Sequence, residues 1–306
     1  MTTLAQAAEF YALRGAVRAI ETLSWPRAGA FGAWIGGLGY RPLGIRRAVV
    51  EQQIAAAFPE MTQSDVERTA RAAYRHLGRN AAEIALAPRL GRQGLVDLFE
   101  QVDNWDWVEQ AMAAGRGIIA VTGHVGNWEL GGAYFAARGI PIDAIARKQA
   151  NPLFDEYITR TRADMGMVVV HDHEAVRRTA RSLRDGRLVA FLADQGVKGL
   201  ASTFVPFFGR PAKTPRGPAV FAKRLGAPVA AMAAMRLPSG RFRMHIEGIP
   251  VPDTGDRDRD VDTVVASFTA ALERVIRQYP EQYFWHHRRW RRQPPPDSSA
   301  YIRVHG

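Results

Sequence analysis

Two residues that could perform acid–base chemistry, His124 and Glu129, lie five positions apart in a glycine-rich stretch. An imidazole can take a proton from a hydroxyl group near neutral pH, and a carboxylate bound to its other ring nitrogen would fix the required tautomer. On one continuous helix, side chains at this spacing point roughly 140° apart, and on one strand they lie on opposite faces of the sheet. A turn between the two residues would let them meet, so the spacing predicts a general base and its orienting acid at a turn.

The sequence around this pair predicts such a turn. The apolar run 118–122 is typical of a buried strand. Gly126 and Asn127 form a turn signal, and Asn127 is also a suitable N-cap for a following helix. His124 would then lie at the carboxyl end of a strand, where α/β folds bind their ligands. The simpler alternative is a polar pair that satisfies its own hydrogen bonds and has no catalytic role.

Strands and helices alternate along the rest of the chain. Alternation on this scale predicts an α/β fold with a mainly parallel central sheet flanked by helices, preceded by further helices at the N-terminus. The other strands are predicted at 142–146, 167–170, 188–193, 229–235 and 242–249, and the helices at 48–58, 65–87, 105–114, 152–165, 174–184, 216–225 and 260–278.

An amphipathic helix is predicted at residues 4–23, because apolar residues recur there at spacings of three and four. Two placements are open for this helix: it packs on its own domain, or it lies in a membrane interface. Its apolar stripe consists of Phe10, Leu13, Val17 and Ile20, and the residues expected to face away are Arg14, Arg18 and Glu21.

The composition favours a folded protein with a basic surface. The chain has 306 residues, of which 47% are hydrophobic, and a formal net charge of +11. This charge favours anionic partners, namely nucleic acid, an anionic membrane or an acidic protein; the alternative is a bias of the coding sequence, since lysine is rare among the basic residues. The chain contains no cysteine, which excludes disulfides and a cysteine nucleophile. No apolar run reaches the about 18 residues of a membrane-spanning helix, and no signal peptide is predicted.

Four motifs occur in order along the chain. They are Gly-His-Val-Gly-Asn-Trp-Glu-Leu at 123–130, Asn-Pro-Leu at 151–153 followed by Arg162, Asp194-Gln195 followed by Phe-Val-Pro-Phe-Phe-Gly-Arg-Pro-Ala, and Pro-Glu-Gln-Tyr at 280–283 followed by Trp-His-His-Arg-Arg-Trp. They resemble the motifs of the late lipid A acyltransferases, the lauroyl and myristoyl transferases of Gram-negative envelope synthesis. That family is related to the glycerolipid acyltransferases and to the mycobacterial phosphatidylinositol mannoside acyltransferases.

The resemblance implies roles for three further residues. Asp194 follows a predicted strand and would lie in the active site, whereas a helix cap is the alternative for an acidic residue at that position. Arg162 would be catalytically important. Arg147 and Arg162 would bind a phosphate of a substrate, because the planar guanidinium matches phosphate geometry; a solvated surface position is the alternative for both. Gln195 resembles the residue of the lipid A enzymes more than that of the mannoside acyltransferases.

The resemblance therefore implies an acyltransferase with a glycerolipid-acyltransferase-like fold that uses no metal, no cofactor and no covalent acyl-enzyme. His124, oriented by Glu129, would activate a hydroxyl of a lipid A precursor or related glycolipid, which would attack the thioester of an acyl carrier protein. Two other functions stay open. One is an acyl-CoA-dependent transferase of another glycolipid, such as a mannoside, and the other is a non-catalytic basic protein of the same fold that binds membranes or nucleic acid.

The predicted organisation has three parts: N-terminal membrane-associating helices at 1–60, an acyltransferase domain at 61–293 and a flexible tail at 294–306. Family members usually carry an N-terminal membrane anchor, and this chain departs from that pattern. We therefore expect peripheral attachment to the cytoplasmic face of the inner membrane, through the N-terminal helix and the segment 283–292. That segment is basic and aromatic, which suits anionic lipid headgroups, and its match to the family disfavours nucleic acid as the partner.

Overall fold

The computed structural model describes residues 3–196 and 199–294, and in these residues helices and strands alternate as the sequence predicts. The α-helices are α1 (Leu4–Glu21), α2 (Trp25–Tyr40), α3 (Arg47–Ala57), α4 (Gln63–Leu86), α5 (Gly91–Asp97), α6 (Trp105–Ala113), α7 (Trp128–Ala137), α8 (Pro152–Asp164), α9 (Ala175–Arg184), α10 (Gly217–Leu225) and α11 (Arg257–Gln278). The strands are β1 (Phe99–Val102), β2 (Ile118–Thr122), β3 (Ile142–Ala146), β4 (Met167–His171), β5 (Leu188–Leu192), β6 (Ser202–Phe207), β7 (Arg210–Pro215), β8 (Val229–Arg236) and β9 (Phe242–Ile249).

A seven-stranded sheet lies at the centre of the fold, with the strand order β1-β9-β8-β2-β5-β3-β4. The five strands β8, β2, β5, β3 and β4 are parallel to one another, β9 runs antiparallel to β8, and β1 pairs in parallel with β9. The prediction of an α/β fold with a mainly parallel sheet is confirmed. Strands β6 and β7 form a separate antiparallel hairpin, which the sequence analysis did not predict.

Strand β2 is apolar throughout because helices cover both faces of the sheet. Ile118 and Ala120 belong to the core cluster that includes residues of α6 and α7, whereas Ile119 and Val121 belong to the cluster that includes residues of α10 and α11. This assignment follows the strict alternation of side chains along a strand. The two core layers hold β2 rigidly at the centre of the sheet, and whatever follows its last residue is therefore well placed for chemistry.

The ends of β2 and β5 meet at a point where the chain changes direction across the sheet. The chain leaves β2 for β3, which lies beyond β5, and later reaches β8, which lies on the other side of β2. In open α/β sheets, such a reversal opens a crevice at the carboxyl ends of the strands. Because Thr122 pairs with Leu192 in the parallel register, the residues two positions further on, His124 and Asp194, lie side by side at this edge.

Helix α1 packs on its own domain. The ring of Phe10 lies 6.3 Å from the ring of Tyr157 on α8, and the guanidinium of Arg14 lies 4.7 Å from the same ring. Val17 is buried. The expectation that Arg14 faces away is wrong, since its cation–π contact places it on the packed side of the helix. Among the described residues, no helix has both the length and the apolar character needed to cross a bilayer.

The segment 283–292 lies largely in the interior, contrary to the expectation that it forms a membrane-binding surface. Tyr283, Trp285 and Trp290 are buried in one cluster with residues of α3, α4 and α11. The indole N–H of Trp290 donates to a backbone carbonyl of β6. Their aromatic rings therefore fill a core, and the prediction that they contact lipid headgroups is wrong.

Side chains on both sides of residue 60 share that cluster, so the described part of the predicted N-terminal region and the acyltransferase domain pack together. Most of the predicted tail, from residue 295 onward, lies outside the described residues.

Helices α2 and α4 cross at very short range through glycines. A Cβ atom at Gly32 would lie 2.4 Å from the carbonyl oxygen of Gly78, and one at Gly36 would lie 2.1 Å from the carbonyl oxygen of Tyr74. Both obstacles are backbone atoms, which cannot move aside as a side chain can. The glycines that break the apolar run in the sequence therefore form the contact face of a helix, which the sequence analysis left unassigned.

The pair Gly36 and Gly37 tests this contact within one helix. Gly36→Ala should destabilise the protein by about 1–3 kcal/mol, because the added methyl group collides with the backbone of α4. At Gly37 the new Cβ would lie 3.6 Å from the Arg75 side chain, an ordinary contact. Gly37→Ala should therefore be neutral or stabilise by up to about 1 kcal/mol through its better helix propensity. Chemical denaturation measures both, and equal stability of the two variants would contradict the close crossing.

Candidate active site

His124 and Asp194 form a hydrogen-bonded pair at the edge of the sheet. The imidazole Nδ1 of His124 lies 2.8 Å from Oδ1 of Asp194, and the backbone N–H of His124 donates to Oδ2 of Asp194 over 3.0 Å. Because an ionised carboxylate can only accept, Nδ1 carries the proton and Nε2 is left as the basic nitrogen. No described residue forms a hydrogen bond with Nε2. Gly123 permits this approach, since a Cβ there would lie 3.1 Å from the Asp194 side chain.

Glu129 forms no hydrogen bond with His124, and the predicted pairing of these two residues is corrected. The carboxylate of Glu129 accepts two hydrogen bonds from Arg162, over 2.9 Å from Nε and 2.6 Å from Nη2, and a third from the indole of Trp128 over 3.2 Å. The physical reason is the start of α7 at Trp128, which turns the next side chain toward α8. The position beside the imidazole is occupied from the neighbouring strand, by Asp194.

The charges of the site stabilise an ionised Asp194 and a basic His124. Burial alone would raise the pKa of Asp194. The charge of His124, the ring and backbone hydrogen bonds from His124, and the charge of Arg289 lower this pKa by more than burial raises it, so that it falls to about 2. Burial lowers the pKa of His124, but the charge and hydrogen bond of Asp194, together with the charge of Glu129, raise it above its ordinary value overall. A His124 of raised pKa is a stronger base than free imidazole.

Arg289 and Tyr283 form the buried side of this site. The guanidinium of Arg289 donates to the carbonyl oxygen of Lys213 and to Oγ1 of Thr214, each over 2.6 Å. Burial lowers the pKa of Arg289 overall, although the charges of Tyr283 and Asp194 raise it in part. Burial and the charge of Asp194 raise the pKa of Tyr283 well above its usual range. Both residues belong to the segment 283–292, which is predicted as a surface segment, so the sequence did not indicate their place in this site.

The turn between His124 and α7 is fixed by residues of other elements. Gly126 has a φ of +59°, and a Cβ there would lie 2.0 Å from the carbonyl oxygen of Ala234. Its own carbonyl accepts a hydrogen bond from the side chain of buried Asn80 over 2.7 Å. The backbone N–H of Phe284 donates to the carbonyl of His124 over 2.9 Å. Asn80 was also missed, although a polar residue in the buried stripe of a long helix is a usable signal.

A narrow cavity of about 60 Å³ lies between α7 and the sheet. Its polar lining residues, Thr122, Glu129 and Arg162, all belong to the end near His124. The ring of Trp128 also lines the cavity and lies 5.1 Å from the imidazole. The far end is lined by Phe135 of α7 and by apolar side chains at the amino ends of β3, β4 and β5, namely Ile142, Met167 and Leu188.

Arg147 is not brought into contact with these residues. It follows β3 at the same edge of the sheet, its side chain is exposed, and no hydrogen bond or ion pair joins that side chain to a described residue. Gln195 does reach the site, with its amide nitrogen 3.2 Å from Nδ1 of His124. The structure therefore brings four of the five predicted residues together as two pairs, His124 with Asp194 and Glu129 with Arg162.

The chain is similar to bacterial acyltransferases of lipid A biosynthesis over nearly its whole length. The family model described as bacterial lipid A biosynthesis acyltransferase matches residues 6–292. The chain is 26% identical to the lipid A biosynthesis lauroyltransferase of Escherichia coli K12 over 295 residues, covering 94% of this chain and 92% of that protein. It is also 26% identical to the palmitoleoyltransferase of the same organism, with 92% and 90% covered. A phosphatidylinositol mannoside acyltransferase of Mycobacterium tuberculosis is 27% identical over 156 residues, about half of each chain.

A match over nearly the whole chain includes both the sheet and every residue of the two side-chain pairs. The chain therefore belongs to the bacterial lipid A biosynthesis acyltransferase family and is an acyltransferase that acts on lipid A or a related glycolipid.

Proposed function

We propose that this enzyme transfers a fatty acyl chain from an acyl carrier protein thioester to a hydroxyl group of a lipid A precursor, with His124 as the general base. The observation that carries the proposal is the His124–Asp194 pair, which holds the proton on Nδ1 and leaves Nε2 as the basic nitrogen. The ring of Trp128, 5.1 Å from the imidazole, lines the apolar cavity. Asp194 takes the orienting role that the sequence suggested for Glu129.

The reaction follows from this arrangement. Nε2 of His124 takes the proton of the acceptor hydroxyl. At the same time, the oxygen of that hydroxyl attacks the thioester carbonyl carbon and forms a C–O bond. The tetrahedral intermediate collapses with cleavage of the C–S bond, and the imidazolium returns the proton to the departing sulfur. Asp194 stabilises the imidazolium between these two steps, because its carboxylate is already ionised and hydrogen-bonded to Nδ1.

The Glu129–Arg162 pair is assigned to the carbonyl side of the reaction. Both residues line the cavity at the end near His124, and the bidentate contact fixes the guanidinium plane. Burial lowers the pKa of Arg162, but its hydrogen bond and attraction to Glu129 raise it overall, so the guanidinium stays charged. A fixed cation at this point stabilises the oxyanion that develops on the thioester carbonyl.

The cavity is proposed to receive the acyl chain of the donor and to widen as the chain enters, because its volume of about 60 Å³ is smaller than that of a long acyl chain. An acyl chain is flexible and uncharged, and the lining beyond Thr122, Glu129 and Arg162 offers it apolar contacts. The polar end would receive the thioester and the apolar end the terminal methyl group. The length of the cavity would then limit the length of the chain that is transferred.

The basic surface of the enzyme complements the negative charge of the proposed donor and acceptor. A formal net charge of +11 suits an acidic carrier protein, and exposed Arg147 is a candidate contact for a substrate phosphate. We place the reaction at the cytoplasmic face of the inner membrane, with the enzyme bound peripherally. Acyl-CoA as the donor and a mannoside as the acceptor are the alternatives that the assay below separates.

Purified enzyme should transfer the acyl group of a radiolabelled acyl carrier protein thioester to a lipid A precursor, and it should use acyl-CoA less efficiently. His124→Ala should abolish transfer with either donor, because no base remains to activate the hydroxyl. Mass spectrometry of lipid A from a strain that lacks its own late acyltransferase, expressing this enzyme or His124→Ala, gives the acceptor independently. Preference for acyl-CoA, or transfer to a mannoside only, would replace this proposal with the alternative.

The pH dependence of transfer separates Asp194 from Glu129. The active form of His124 is neutral and its pKa is raised, so the wild-type rate should rise with pH through a midpoint above about 6.5. Asp194→Asn removes the main cause of the rise, so the midpoint should move to lower pH while the rate falls by about 10²–10⁴-fold. Glu129→Gln should also slow transfer but move the midpoint less. A larger shift in Glu129→Gln than in Asp194→Asn would return the orienting role to Glu129.

Ala144 tests the acyl cavity, because it lines the middle of the cavity on β3. Ala144→Leu should reduce transfer of long acyl chains much more than transfer of short ones, since the added atoms occupy space that only a long chain needs. The ratio of kcat/KM for two donors of different chain length is the readout, and it is independent of any general loss of activity. An unchanged ratio would contradict the proposal that the acyl chain binds in this cavity.

A further inference from the structure

An exposed apolar surface lies on α2 and the loop after it. Three residues of α2, Phe31, Trp34 and Ile35, are 40%, 54% and 46% exposed, and two loop residues, Leu43 and Ile45, are 66% and 53% exposed. The rings of Phe31 and Trp34 lie 5.8 Å apart. We refer to these five residues as the α2 face. Contiguous apolar surface of this kind marks a site of interaction.

The orientation of the α2 face is fixed by the opposite side of the helix. Gly32, Gly36 and Gly78 bring the backbones of α2 and α4 together too closely for any Cβ atom between them. Rotation of α2 about its axis would insert Phe31 or Trp34 into this contact, where there is no room. The apolar side chains are therefore held outward by the packing.

The charges around the α2 face indicate which partner it fits. Residues 22–50 contain four arginines and no acidic residue. Of these, Arg27, Arg41 and Arg46 are exposed and flank the apolar residues in the sequence, and Arg41 lies 3.7 Å from Glu67 of α4. A second copy of the chain would bring like charges together at a two-fold interface. An anionic bilayer instead attracts the arginines at headgroup depth and accepts the aromatic and aliphatic side chains below them.

A groove of about 500 Å³ begins at the α2 face and leads toward the reaction centre. Ile35, Ile45 and Arg46 line it at the outer end, and Phe284 and His286 line it at the inner end. The ring of Phe284 lies 5.8 Å from the imidazole of His124. The cavity between α7 and the sheet shares no lining residue with this groove.

We propose that the α2 face inserts into an anionic lipid leaflet and that the groove behind it admits the hydrocarbon-bearing acceptor lipid to His124. The assignment of the acceptor to this groove rests on the proposed function, whereas insertion of the α2 face does not. Donor and acceptor then reach His124 from two sides, the donor through the cavity and the acceptor directly from the membrane.

Vesicle sedimentation tests the insertion. The full-length enzyme should bind phosphatidylcholine vesicles that contain phosphatidylglycerol more tightly than pure phosphatidylcholine vesicles. The double variant Phe31→Glu with Trp34→Glu should bind the anionic vesicles at least about tenfold more weakly, because charge replaces buried apolar area. The matched control is Val176→Glu, since Val176 is 73% exposed on α9, and it should bind as the wild type does. Circular dichroism verifies that all three proteins are folded.

Unchanged vesicle binding in the double variant would overturn the insertion. So would a wild-type dimer that the double variant dissociates in light scattering, because the α2 face would then be an interface between copies. Neither measurement uses transferase activity, so failure of the proposed reaction would leave this test valid.

The groove has its own variant. Ala81 lines the groove on α4, and Ala81→Phe would narrow it without altering the α2 face. This variant should bind anionic vesicles normally and transfer acyl groups to a vesicle-embedded glycolipid at least about tenfold more slowly. Wild-type transfer by Ala81→Phe would exclude the groove as the acceptor route, while loss of transfer in every variant and in the wild type would instead indicate that the proposed function fails.

Discussion

The buried carboxylate of Asp194 is the constraint on which the rest of the site depends. An ionised carboxylate in a protein interior is costly unless every side of it is compensated. Here the compensation comes from the ring and the backbone N–H of His124 and from the charge of Arg289. The parallel register of β2 and β5 sets this geometry, and Gly123 leaves the space for it. The same contacts that make the buried charge tolerable also fix the tautomer of the base.

The interior position of the last described segment follows from the same requirement. The charge of Arg289 compensates that of Asp194 from within the protein. The chain that carries Arg289 must therefore run through the interior and not over the surface. Phe284 hydrogen-bonds the carbonyl of His124 on the way, and the adjacent tryptophans fill the core. The aromatic residues of this segment thus pack in the core, and its buried arginine compensates the charge of Asp194. Composition alone favours a surface role for such a segment, because most arginines are solvated.

The sequence predicted the strands, the sheet edge and the identity of the polar residues better than it predicted their partners. His124 and Asp194 were both expected at strand ends, but their pairing depends on β2 and β5 being neighbours, and strand order is not encoded in local patterns. Glu129 lies closer to His124 in sequence, and this proximity favours it as the orienting acid. In the structure, α7 begins at Trp128 and directs the Glu129 side chain to Arg162. Helix α2 was missed because its glycines resemble breaks, whereas they are the contact surface of a helix that crosses another at short range.

The burial of Arg289 has a consequence for the biosynthesis of the enzyme. A polypeptide emerges from the ribosome from its N-terminus, and its earlier parts begin to fold first. The sheet, His124 and Asp194 are therefore available well before the segment that neutralises them and closes the turn. Until that segment docks, Asp194 lacks the nearby cation that helps to keep it ionised. A prematurely terminated chain would lack both this cation and the hydrogen bond from Phe284 to the carbonyl of His124, so that the site is complete only in the finished molecule.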